Sequence, residues 1–153
     1  MPDRWLKEIK DIEGVEGVFV ASNKGQLIQQ VGLSFDHATL EGVAVHLLRI
    51  ISAHYLLKRN VKEIEIIWDK YRVIAKNANE FIVISFCNSV KALPLLRITS
   101  NVVLAHLLED KKFMKRIKKH ASERTILLRR GNLEPLEINF PFLTILFFQK
   151  HVF

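Results

Sequence analysis

The chain has little cysteine: one residue, Cys87, in 153. That excludes an internal disulfide framework and fits a reducing, cytoplasmic setting. Nothing in Met1-Pro2-Asp3-Arg4 reads as the start of a secretory signal. No stretch reaches the roughly 18 uninterrupted apolar residues of a spanning helix. Ser22-Asn23-Lys24-Gly25 is not a phosphate loop, because it lacks the second glycine and the Gly-Lys-Ser/Thr ending. Gly-x-Ser-x-Gly and dinucleotide fingerprints are absent too. His46 and His54 stand eight apart, not at the i, i+4 spacing of a helical metal pair. These absences lead us to expect no catalytic residue, no metal and no cofactor, and a binding protein rather than an enzyme.

Apolar residues make up 49% of the chain and charged residues 25%, which suits one globular domain with a real core. The net charge of +7 is concentrated. Residues 109–130 hold nine basic side chains (Lys111, Lys112, Lys115, Arg116, Lys118, Lys119, Arg124, Arg129 and Arg130) against Glu109, Asp110 and Glu123. Such a run serves either as a solvated helix end or as a docking surface for something acidic. It has no interleaved aromatics and no recognisable DNA- or RNA-binding motif, so nucleic acid is disfavoured.

The element order reads α-β-β-α-β-β-β-α. Trp5, Ile9 and Ile12 predict a first helix, and Val15 to Ala21 and Leu27 to Val31 predict a hairpin turning at Gly25. Ser34 or Asp36 caps a long middle helix that ends near Leu57. Strands follow at Val61 to Trp68, Tyr71 to Asn77 and Glu80 to Cys87. One last helix is expected from Leu93 to about Lys119, with Pro94 in its first turn. A two-residue turn at Asp69-Lys70 pairs Trp68 with Tyr71, Ile66 with Val73 and Glu63 with Lys76. A three-residue turn at Asn77-Ala78-Asn79 would add Glu80 to a Glu63-Lys76-Glu80 charge ladder.

The middle helix is unusually apolar. From Gly42 to Leu57, Arg49 is the single formal charge. Leu40, Ala44, Leu47, Leu48, Ile51 and Tyr55 form one stripe. Val43, His46, Ile50, Ala53, His54 and Leu57 form a second beside it. Together they span roughly 220°, where a surface helix commonly needs an apolar arc of about 100° or a little more. Burying Val43, Ile50 and Leu57 in two copies is worth about 9–18 kcal/mol, against an association cost of about 4–15 kcal/mol. Self-association is therefore expected. Cover by the chain's own apolar tail, Phe140-Pro141-Phe142-Leu143-Thr144-Ile145-Leu146-Phe147-Phe148, is the alternative.

The order of elements, with Ile12-Glu13-Gly14-Val15-Glu16-Gly17-Val18-Phe19-Val20-Ala21-Ser22-Asn23-Lys24-Gly25 at its start, resembles the Roadblock family. That family includes dynein light chains and regulators of Ras-like GTPases. The apolar middle helix, the three-strand run and Leu93-Pro94-Leu95-Leu96-Arg97 at the last helix extend the match over about residues 4 to 119. Longin and profilin-like domains share much of the layout. The resemblance implies an α+β three-layer sandwich, with a five-stranded antiparallel sheet between helices. It implies a homodimer built from the middle helix and the third strand, with the sheets continuous across the axis. Val43, His46, Leu47, Ile50, Ala53, His54, Leu57, Val61, Glu63, Ile64, Glu65 and Ile67 would form that interface. It also implies a non-enzymatic scaffold that binds a small Ras-like GTPase and modulates its nucleotide cycle. Arg49, Arg97, Lys112, Lys115, Arg116 and Lys119 are the candidate partner contacts; for Arg49 and Arg97 a local salt bridge or a helix-surface charge is the competing reading. Residues 1–120 would be the domain and 121–153 an extension, basic and then apolar. The extension reads as an added strand or packed segment. Alternatively, the chain is a membrane-surface adaptor that uses the basic segment 109–130 and the apolar stretch 140–148 on anionic lipid.

Overall fold

The computed structural model describes residues 2–120 and 144–148. Helix α1 (Pro2–Lys10) is followed by β1 (Val15–Ser22), β2 (Leu27–Val31) and the long α2 (His37–Leu56). Strands β3 (Glu63–Trp68), β4 (Tyr71–Asn77) and β5 (Phe81–Cys87) come next. A 3-10 turn at Val90–Ala92 leads into α3 (Leu93–Glu109), α4 (Lys111–His120) and finally β6 (Thr144–Phe148). The strands form one antiparallel sheet in the order β2-β1-β5-β4-β3-β6. The five strands β1 to β5 make the expected sandwich, and β6 adds a sixth at the β3 edge.

Two cores follow from the pleat, because alternate residues of a strand point to opposite faces. Phe19, Ala21, Ile64, Ile66, Val73, Ile84 and Phe86 meet Leu40, Val43, Leu47 and Ile51 of α2 on one face. Val18, Val20, Ile74 and Val83 meet Leu6 and Ile9 of α1, Leu96, Val103 and Leu107 of α3, and Phe113 and Ile117 of α4 on the other.

Asp36, not Ser34, caps α2: its carboxylate accepts the Thr39 N–H at 2.9 Å. Gly25 sits at φ +85°, as the hairpin turn requires. An added Cβ there would lie 2.4 Å from Val45 Cγ2 on α2, so the glycine also lets the turn approach the helix.

The β3–β4 register is the expected one, Glu63↔Lys76 through Trp68↔Tyr71. The β4–β5 register is not. Lys76 pairs with Val83 and Asn77 with Ile82, so Glu80 falls in the loop and the charge ladder loses its third member. The cause is the turn. Ala78 N–H donates to Phe81 C=O at 2.9 Å, and Asn79 N–H donates to Asn77 Oδ1 at 3.0 Å, so Ala78 and Phe81 close a two-residue turn at Asn79-Glu80. An odd slip exchanges the two faces of a strand. Ile84 and Phe86 accordingly share the α2 face with Ile66 and Val73. The last helix is also two helices. Asp110, at ψ 104°, stops α3, and its carboxylate accepts the Phe113 N–H at 3.0 Å to start α4.

Candidate functional site

Helix α2 lies on its face of the sheet without another helix over it among the described residues, so its outward side is the first surface to consider. Val43 and Leu47 face inward, at 2% and 0% exposed. They belong to the subunit's own core and have no area left for a second copy. The two apolar stripes are adjacent, and the sheet takes the nearer edge of the second along with the first. Tyr55 of the first stripe goes the other way and is exposed. The remaining outward side carries half-buried His46, Arg49, Ile50 and His54, exposed Ala53, and exposed Leu56 and Leu57 at its end.

The third strand departs further from expectation. Its outer edge is taken by β6 of the same chain, from Glu63↔Phe148 to Ile67↔Thr144. The backbone groups that a second copy would use are therefore already paired. Val61 and Ile64 are core residues, and Ile67 is half-buried. The apolar segment 144–148 is likewise a paired strand. Phe140 to Leu143, like Arg124, Arg129 and Arg130, lie outside the described residues.

Glu63 and Glu65 are each 3% exposed, on the side of β3 that faces α3. A buried carboxylate is tolerated only with cations and hydrogen bonds around it. Lys76 contacts Glu63 across the β3–β4 pair. Arg72 Nη1 donates to Glu65 Oε2 at 3.1 Å. Arg97 reaches down from α3, donating from Nε to Glu63 Oε2 at 3.0 Å and from Nη2 to Glu65 Oε1 at 2.8 Å. Arg97 thus binds its own subunit, and the two glutamates are structural. Sequence reasoning found Lys76 by strand register, but it had no means of placing Arg97 over both carboxylates.

Helix α4 holds the other candidate contacts. Lys112, Lys115 and Lys119 are exposed. Arg116 is exposed overall, yet its guanidinium donates to Ile28 C=O and to Gln29 Oε1 on β2. It ties α4 to the sheet.

Cys87 is buried, and its thiol donates to Ser89 C=O at 2.9 Å. Burial pushes that thiol above its ordinary pKa. Among the described residues, no group of three or more His, Cys, Asp or Glu side chains is arranged to hold a metal ion. No helix there is long and apolar enough to cross a membrane.

No protein-family model matches the chain, and no curated protein does. Solved structures do. MglB of Myxococcus xanthus superposes at TM-score 0.60 with 13% identity, over 71% of this chain and 87% of that one. A Roadblock/LC7 domain of Streptomyces avermitilis superposes at 0.57 with 10% identity, over 70% and 94%. MglB in a tetrameric arrangement gives 0.56 with 12% identity, over 77% and 88%. The chain has the Roadblock fold.

Proposed function

We propose that the chain is a non-enzymatic, self-associating scaffold that binds a small Ras-like GTPase and modulates its nucleotide cycle. The observation that carries this reading is the Roadblock fold, which matches MglB over 87% of its length. The resemblance to the Roadblock family over about residues 4 to 119 implies the GTPase. The MglB solved in a tetrameric arrangement supports assembly between copies. Residues 1–120 act as the domain in this reading, and residues 121–153 are an extension that closes the β3 edge through β6.

The proposed interface is narrower than the sequence suggested. It keeps His46, Ile50, Ala53, His54 and Leu57 on the outward side of α2 and adds Leu56. Val43, Leu47, Val61, Glu63, Ile64, Glu65 and Ile67 leave it, for the reasons given by their burial and by β6. Without Val43, and with Ile50 already half-buried, the apolar gain from Ile50 and Leu57 in two copies is at most about 6–12 kcal/mol, still comparable with the cost of association.

Calorimetric titration against the Ras-like GTPases of the same genome, loaded with GDP or with a GTP analogue, tests the partner. The expected result is binding that differs between the nucleotide states and a change in nucleotide turnover. Absence of binding in both states contradicts the reading.

A further inference from the structure

We propose that the outward side of the α3–α4 layer docks onto an anionic lipid bilayer. Helix α3 buries Leu96, Ser100, Val103 and Leu107. On its opposite side, Leu95, Ile98 and Val102 are 55%, 62% and 48% exposed. Their i, i+3, i+7 spacing sets them in one row along two turns. A surface helix ordinarily presents polar residues there. This one presents an apolar crest.

Helix α4 supplies the complementary feature. It has no acidic residue, and while Phe113 and Ile117 are buried, Lys111, Lys112, Lys115, Lys118 and Lys119 are exposed. The inner sides of α3 and α4 join one core on the same face of the sheet. Their outer sides therefore lie on the side of the sheet away from α2, where the apolar row and the lysines are both exposed.

A partner must supply negative charge over a broad area and receive three protruding apolar side chains. A bilayer interface does both, with headgroup phosphates against the lysines and the acyl boundary beneath Leu95, Ile98 and Val102. An acidic protein would need a groove shaped to this crest. The apolar tail has a different place: residues 144–148 are paired along β3, so the α3 crest and not that strand is the inserting element.

The test is co-sedimentation of the full chain with phosphatidylcholine vesicles, with and without about 30 mol% phosphatidylserine, at about 0.1 M salt. Binding is expected to the anionic vesicles and not to the neutral ones. Lys112→Glu/Lys115→Glu/Lys119→Glu should weaken it by about a hundredfold or more. Lys58→Glu/Arg59→Glu/Lys70→Glu makes the same change in net charge away from this layer and should leave it intact. Leu95→Ser/Ile98→Ser changes no charge and should weaken binding about tenfold or more, with an unaltered thermal melt. No binding to anionic vesicles overturns the proposal. So does equal loss in the two charge-reversed triples, which would mean diffuse attraction of a basic protein. So does full binding by the Leu95/Ile98 variant, or capture of an acidic protein by this surface without any vesicle binding.

Discussion

Arg97 Nη2 lies 2.8 Å from Glu65 Oε1, and this contact joins a helix to a strand 32 residues away in sequence. The same guanidinium holds Glu63, so one α3 side chain serves two buried carboxylates. Removing it leaves carboxylates in a poorly hydrated place with fewer donors, which costs more than the pair itself contributes. Arg97 is about 30% exposed, so water recovers part of that loss. Arg97→Met should lower stability by about 2–3 kcal/mol in urea denaturation. An effect below about 0.5 kcal/mol would mean that Lys76 and Arg72 suffice.

Asp36 gives the fold a pH dependence of known sign. Hydrogen bonds from the Thr39 side chain and backbone N–H hold its carboxyl below the ordinary carboxylate range. The folded form therefore binds its proton less readily than the unfolded form does. The stability this contributes is present above the unfolded pKa and is lost as pH falls through the folded one. Asp36→Ala should lower stability at neutral pH and flatten the acid limb of the stability curve. Identical acid limbs in the two proteins would show that the cap is not titrating.

Cys87 should be inert in the native state. Its burial and raised pKa both disfavour the thiolate, the form that reacts with alkylating reagents. Labelling by iodoacetamide should be slow in buffer and become fast in denaturant. Rapid native labelling would place the β5 end in solvent.

Much of this architecture was legible in the chain, where neighbouring residues fix geometry. The Asp69-Lys70 turn sets the β3–β4 register because a two-residue hairpin allows little choice. Asp36 and Gly25 announce a cap and a turn through their own chemistry. The β4–β5 register was not legible, because Asn77 and Asn79 fold the loop by a side-chain hydrogen bond that does not declare its length. The break at Asp110 was legible in principle as an Asp cap, but a continuous apolar pattern from Leu96 through Ile117 hid it. The burial of Val43 is not legible, because the apolar arc of α2 is unbroken and periodicity cannot say where the sheet stops covering it. The occupied β3 edge depends on a strand far along the chain, which local pattern does not place.

The claim on which this account turns is that the outward side of α2, and not the β3 edge, joins two copies. Sedimentation equilibrium at tens of micromolar, on the natural chain and on Ile50→Glu/Leu57→Glu, tests it most directly. The expected result is a two-chain mass or larger for the natural protein, and a one-chain mass with an unchanged circular dichroism spectrum for the variant. A one-chain mass for the natural protein, or an assembly that survives both glutamates, would contradict it.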